Sequence, residues 1–211
     1  MEHEQLRDAI LNGDAKTAAA ITREALGAGE PPMELVAKCM IPAMDEVGRR
    51  FECEEYFVPE LLLSARAMKA AMEIIRPLLA EQGAQPAGRV VIGTVKGDLH
   101  DIGKNLVASM LEGAGFEVND LGTDVSVDRF VEAVKEKNAD ILCLSALLTV
   151  TMRAMKTTIE ALEQAGIRQR VKVLIGGAPI TAQYAREISA DGYGENASVA
   201  VTLARNLVAR A

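Results

Sequence analysis

The chain has 211 residues, 49% of them hydrophobic and 25% charged, enough to bury a core in one large domain or two small ones. A net charge of −7 leaves no surplus of cations to neutralise a phosphate backbone, so nucleic acid is not an expected partner. No apolar run reaches the ~18 residues that span a bilayer, and the opening MEHEQLRD lacks the basic and apolar regions of a signal peptide, so no membrane association and a cytoplasmic location are expected. The three cysteines, Cys39, Cys53 and Cys143, form no CxxC and are read as small core hydrophobes in a reducing compartment, not as a disulfide framework or a zinc site.

Up to about residue 80 the sequence predicts helices only. Residues 4–12 and 14–26 are helical, interrupted at Gly13-Asp14 and ended by GAGEPP. A third helix starts near Pro32, carries Met33, Val36, Met40, Met44 and Val47 at helical spacing, and should kink at Pro42; Met33, Met40 and Met44 are read as core. RRFECEEYFVPE breaks the pattern, and a long helix runs from about Pro59 to Leu79. Four antiparallel helices of this length make a small bundle.

Past EQGAQPAGR the rhythm changes to strands and helices in alternation. The strands are RVVIGTV, FEVND, ADILCLSAL, VKVLIGG and a weak ADGY. Between them lie helices from about Gly103 to Glu112, over SVDRFVEAVKEKN with Ser126 as its cap, from about Val150 to Ala165, and over TAQYAREIS; ENASVAVTLARNLVAR closes the chain. Continuously apolar strands in β-α units predict a parallel sheet with helices on both faces, in the flavodoxin-like order 2-1-3-4-5. Ligands of that fold sit beyond the carboxyl ends of strands 1 and 3. KGDLHDIG, SALLTVT and GGAP fall there, all small, polar or glycine-rich.

The first of these loops holds His100, one of only two histidines, between Asp98 and Asp101. GDLHDIGKN is not a phosphate loop: the spacing from Gly97 to Gly103-Lys104 is one residue too long, Asn105 stands where a magnesium-binding hydroxyl is needed, and two aspartates would repel phosphate. There is no GxGxxG, and strand 3 ends in LCLSAL without a phospho-accepting aspartate. Two readings remain for His100. It is a metal ligand whose second ring nitrogen bonds Asp98, the metal arriving inside a prebuilt macrocycle because one histidine cannot hold a free ion. Or it is a loop histidine capped by Asp98, with no ligand.

The run Asp98-x-His100-x-x-Gly103, followed by Ser145-x-Leu147 and Gly176-Gly177, resembles the cobalamin-binding fold. The N-terminal stretch that includes VGRRFECEEYFVPELLLSARAMKAAM is similar to the helical cap of cobalamin-dependent methionine synthase and of the corrinoid proteins of methyltransferase systems. The resemblance covers nearly the whole chain and implies a cap over residues 1–86 and a cobalamin-binding domain over 87–211. It implies that His100 is the lower axial ligand of the cobalt and Asp98 its hydrogen-bond partner. A serine completes this relay in methionine synthase; Thr151 stands there, keeping the hydroxyl and adding a methyl. Ser145 and Thr149 match positions that hydrogen-bond the buried benzimidazole tail. Gly97, Gly103, Gly176 and Gly177 would let backbone approach the corrin and its tail, and Tyr193, Gly194, Glu195 and Asn196 would meet the tail's far end. Leu99, Asp101, Ile102 and Leu147 complete the expected contacts with the cofactor. Phe51 and Val58 match residues over the upper face of the cobalt, with ordinary bundle core as their alternative.

The function so implied is that of a methyl carrier. Its cobalamin or related corrinoid cycles between cob(I)alamin and methylcobalamin, taking a methyl group from a substrate:corrinoid methyltransferase and passing it to a second methyltransferase with a tetrahydrofolate or thiol acceptor. A reductive activating protein is an expected further partner. Co(I) prefers four ligands, so the resemblance also implies release of His100 in that state, and a cap hinged at about residues 80–88. The alternatives are the cobalamin subunit of an adenosylcobalamin mutase, a cobalamin-sensing regulator, and a helical bundle with a flavodoxin-like domain that binds no cofactor.

Overall fold

The computed structural model describes residues 2–81 and 86–209, so residues 82–85 of the expected linker lie outside the described residues. The chain forms two compact units, one from residues 1–86 with 109–115, the other from 87–108 with 116–211.

The first unit is helical, as expected. Helices α1 (Glu2–Leu11) and α2 (Ala15–Gly27) are separated by Gly13 at φ +70°, and Asp14 caps α2 by accepting the Thr17 N–H at 2.9 Å. The third helix departs from expectation in two ways. It is divided into α3 (Pro32–Leu35), a π-helical turn over Val36–Met40, and α4 (Ile41–Glu52). Pro42 has no N–H for the Lys38 carbonyl and its ring crowds that oxygen. The turn before it widens, with the Ile41 N–H reaching back to the Val36 carbonyl. The helix also runs on to Glu52, through residues the sequence placed in the break. Glu46 binds Arg49 and Arg50, one turn on, at 2.8 Å each and supports that last turn. The break comes at Cys53–Phe57, with Glu54 at φ +59°, and Tyr56 ties it down by accepting from Arg50 at 2.8 Å and donating to the Leu11 carbonyl at 3.1 Å. Helix α5 (Val58–Glu81) follows. Leu6, Ile10, Leu35, Met40, Leu61, Met68 and Ile75 are fully buried in this unit, and Met44 nearly so. Met33 is exposed, contrary to its expected place in the core.

The second unit is a five-stranded parallel sheet in the order β2-β1-β3-β4-β5, the predicted order. In chain order the elements from residue 89 on are β1 (Arg89–Thr94), α6 (Ile102–Gly113), whose residues from 109 on are grouped with the first unit, β2 (Glu117–Asp120), α7 (Val127–Glu136), β3 (Ile141–Ser145), α8 (Arg153–Gln164), β4 (Lys172–Gly176), α9 (Ala182–Glu187), β5 (Gly192–Gly194) and α10 (Ala197–Val208). The inner strands β1, β3 and β4 are buried along nearly their whole length, as a sheet covered on both faces requires. Ser126, Thr181 and Asn196 cap α7, α9 and α10 through their side chains. Two boundaries differ from expectation at one place: β3 ends at Ser145 and not at Leu147, and α8 begins at Arg153 and not near Val150. The intervening backbone is drawn towards Asp98 instead. Among the described residues no helix is long and apolar enough to cross a membrane.

Cys39 and Cys143 are buried as expected, but Cys53 is exposed in the break after α4. Burial pushes the Cys143 thiol up to about 12; burial first, and then the Glu30 carboxylate, raise Cys39. A thiol reagent at neutral pH is therefore expected to modify one of the three cysteines rapidly in the native protein. The Cys53→Ser variant should lose that fast phase. A second fast thiol would contradict the burial.

Candidate functional site

Strand β1 ends at Thr94, and Val95 forms one further parallel bridge with Val125 before the chain turns out at Gly97, φ +85°. The turn delivers Asp98 to a fully buried position at the carboxyl end of the sheet. Asp98 is the centre of the site. One carboxylate oxygen accepts from His100 Nδ1 at 2.8 Å and from the His100 N–H at 3.1 Å. The other accepts from the backbone N–H groups of Leu147 and Leu148, at 2.8 and 3.2 Å, and lies 2.8 Å from Thr151 Oγ1. This is why β3 stops early: its continuation supplies donors to a buried anion. Burial alone would raise the Asp98 carboxyl, but the Leu147 N–H, the His100 ring, the Thr151 hydroxyl and the His100 N–H together outweigh it and hold it well below the usual carboxylate range.

An ionised Asp98 can only accept, so Nδ1 of His100 carries the shared proton, and the lone pair of the neutral ring lies on Nε2. The ring is 52% exposed. That is the state of a ligating imidazole: oriented from behind, open in front. The His100 carbonyl is pinned as well, accepting from the buried Thr94 hydroxyl at 2.8 Å. Thr151 Oγ1 is also 2.8 Å from the Leu148 carbonyl, so its single proton has two acceptors at equal distance.

The other predicted residues fall into three groups. Leu99 and Ile102 are 73% and 78% exposed and Leu147 is also exposed; with Leu148 and Val150 they give this end of the sheet five exposed apolar side chains. Ser145 is half-buried and Thr149 exposed, and among the described residues neither hydroxyl has a hydrogen-bond partner. Gly103 has nothing within 4 Å of where a Cβ would stand. These positions are open to a ligand. A second group is used by the chain itself. Asp101 accepts from Asn105 Nδ2 at 3.0 Å at the start of α6, and Asn196 caps α10 by accepting from the Val199 N–H at 2.9 Å. A Cβ on Gly177, at φ +130°, would lie 1.9 Å from the Ala146 carbonyl oxygen, and one on Gly176 would lie 3.1 Å from the Gly194 oxygen. These glycines bring the ends of β3, β4 and β5 against one another. Tyr193 is half-buried on β5 opposite Ile175, and Glu195 is exposed just beyond it. In the first unit, Phe51 is half-buried in α4 and Val58 is exposed at the start of α5.

Sequence reasoning missed Thr94, Lys104, Asp120 and Asp124. Lys104 is buried and reaches Asp120 at the end of β2. Asp124 binds the loop from the other side. A lone acid in a turn carries no local signal of such a role.

Among the described residues no three His, Cys, Asp or Glu side chains are grouped to hold a free metal ion. A single free imidazole nitrogen, unpartnered hydroxyls, an open glycine and exposed leucines fit a metal carried in a large, mostly apolar macrocycle. The comparisons agree. Residues 88–202 match the model of a B12 binding domain, and residues 2–76 match a second B12 binding domain model.

The chain belongs to the B12-binding corrinoid proteins. It is 44% identical over 207 residues to the dimethylamine corrinoid protein of Methanosarcina barkeri, an alignment covering 98% of this chain and 97% of that one. It is 46% identical over 201 residues to trimethylamine corrinoid protein 1 of Methanosarcina acetivorans, with 94% and 93% covered. Its fold matches the crystal structure of the methanol:cobalamin methyltransferase complex of Methanosarcina barkeri with a TM-score of 0.88 at 29% identity, covering all of this chain and 80% of that one. As a member of this family the protein binds a corrinoid and carries methyl groups in a methyltransferase system.

Proposed function

We propose that the protein is the methyl carrier of a methylated-amine system, docking in turn with a substrate:corrinoid methyltransferase, a second methyltransferase with a folate or thiol acceptor, and a reductive activating protein. The identity of 44–46% to dimethylamine and trimethylamine corrinoid proteins, against 29% to a chain of the methanol complex, supports an amine donor. One observation carries the site assignment: His100 is held by buried Asp98 through Nδ1 with Nε2 free and the ring half-exposed.

In this reading residues 1–86 are the cap and 87–211 the corrinoid-binding domain. His100 Nε2 would hold the cobalt, and Phe51 and Val58 would be further contacts of the cofactor. Ser145, Thr149 and the end of β5 receive the cofactor's tail; Leu99, Ile102, Leu147, Leu148 and Val150 supply apolar contact around it. When bound, the corrinoid supplies a cobalt that alternately accepts and gives up a methyl group. The chain's part is to present and withdraw an imidazole. The ionised Asp98 at Nδ1 would orient the ring and raise the basicity of Nε2 towards a metal. Thr151 and the Leu147 and Leu148 N–H groups keep Asp98 from rotating away.

The test is the visible spectrum of the protein reconstituted with hydroxocobalamin, beside His100→Ala. Stoichiometric corrin bands are expected in the wild type, shifted in the variant, with affinity down by about 10–100-fold as for loss of a metal-site partner. Identical spectra would remove His100 as ligand. Methylation of the reduced carrier by purified dimethylamine or trimethylamine methyltransferase, but not by the methanol enzyme, would fix the donor class; the opposite preference would overturn it.

A further inference from the structure

The β2–α7 turn, residues 120–126, makes more bonds to the histidine loop than its position on the edge of the sheet calls for. Asp124 makes three, to three consecutive residues. Its Oδ1 accepts the Gly97 N–H at 2.8 Å, its Oδ2 lies 2.9 Å from Lys96 Nζ, and its own N–H donates to the Asp98 carbonyl at 2.9 Å. To reach all three it adopts φ +55°, a conformation disfavoured for a residue with a Cβ, though aspartate tolerates it better than most. The turn is itself anchored: the Thr94 N–H donates to the Gly122 carbonyl at 2.9 Å and the Val125 N–H to the Thr94 carbonyl at 3.0 Å. Four residues earlier, Asp120 pairs with buried Lys104 in the first turn of α6. The histidine loop is therefore gripped on both sides of His100, at residues 96–98 and at 104, by two acids of one short segment. The Gly97 N–H, and then Lys96, hold the Asp124 carboxyl below its usual range, so it remains an acceptor at working pH.

We propose that Asp124 is a positioning residue for cobalt ligation: it fixes the backbone of residues 96–98, so that His100 can leave and rejoin the metal as a side-chain event without the loop reorganising. The proposal rests on His100 being the lower ligand. An imidazole on a mobile loop would spend ordering entropy at every ligation; on a fixed loop that cost falls on folding. Asp98 orients the ring, and Asp124 locates the residue that orients it.

The informative variants are Asp124→Gly, Asp124→Asn and Lys96→Ala. Glycine keeps the positive φ at no steric cost and removes only the carboxylate. Asparagine keeps both the conformation and an acceptor for Gly97. Lys96→Ala removes an ion pair whose members are 60% and 40% exposed, and it should change little. With hydroxocobalamin as probe, Asp124→Gly is expected to bind the corrin roughly tenfold more weakly and to show a mixed spectrum with part of the histidine off the cobalt, and Asp124→Asn to restore the wild-type spectrum. In the cofactor-free chain the Gly97 and His100 amides of Asp124→Gly should exchange hydrogen faster while the inner strands do not. Wild-type ligation and exchange in Asp124→Gly would overturn the proposal. A loss in Asp124→Gly that Asp124→Asn does not repair would also overturn it, in favour of a role for the charge. A wild type whose corrin spectrum ignores His100→Ala would instead sink the ligand assignment, and this inference with it.

Discussion

Asp98→Ala is expected to lower the stability of the cofactor-free protein by about 3–5 kcal/mol in urea unfolding, the cost of breaking a buried charge network from one side. The carboxylate accepts from the His100 ring and N–H, the Leu147 and Leu148 N–H groups and Thr151, and it is fully buried. Alanine removes the acceptor of the Leu147 and Leu148 N–H groups and of the His100 ring and N–H. Asp98→Asn keeps the size and one acceptor but turns an NH₂ towards donors, so it should fall between the two. The pH dependence has a definite sign. The folded carboxyl is held below its usual range, so its contribution is fully present above the unfolded value of about 3.9 and is lost as pH falls below that towards the lowered folded value. Wild type and Asp98→Ala should thus converge in strong acid, where the carboxylate is protonated. A gap that widens in acid, or an Asp98→Ala variant as stable as wild type at neutral pH, would show that the network does not hold as described. Reconstituted Asp98→Ala should also lose the histidine-ligated spectrum, because the free ring nitrogen is no longer fixed.

The second large effect is on the far side of the slot. Gly177→Ala would put a methyl 1.9 Å from the Ala146 carbonyl oxygen, at a backbone φ of +130° that an alanine rarely adopts. Neither element can yield cheaply, since the Ala146 N–H is bonded to the Gly176 carbonyl at 3.2 Å and the Ile180 N–H to the Gly177 carbonyl at 2.9 Å. Strain and overpacking together should cost about 2–5 kcal/mol and reduce corrinoid binding as a consequence. Gly103→Ala is the contrast. With nothing within 4 Å of its added methyl and a place in the first turn of α6, it should leave the cofactor-free fold as stable or slightly more so. Any loss of corrinoid binding there would then report contact with the cofactor itself. Equal stability losses at the two glycines would contradict this division.

Much of the architecture was legible from periodicity and punctuation. Apolar strands of five or six residues alternating with amphipathic helices can be covered on both faces only in a parallel sheet, and the observed order is the one expected. The cap at Ser126 could be placed because its residue type satisfies helix N–H groups locally. What misled was local as well. Pro42 signalled a kink, but the backbone resolved the missing bond one turn earlier as a π turn. Glu46 with Arg49 and Arg50 carried α4 past its expected end. Met33 and Cys53 are apolar types that sit outside the core, because composition does not say which side of a helix or break a residue occupies.

The sequence by itself determined the order of the elements, the loop in which His100 lies, and the pairing of Asp98 with His100, since two residues of separation leave little freedom. Only the tertiary structure decided what makes that pair effective. Leu147, Leu148 and Thr151 lie about fifty positions beyond Asp98, and Asp124 lies 27 beyond Gly97. They converge because β1 runs between β2 and β3, so that the loop after each strand opens at the same end of the sheet. No pattern of period two or 3.6 records that convergence, because the periodicity of a strand reports which face it buries and not which loops meet at its end.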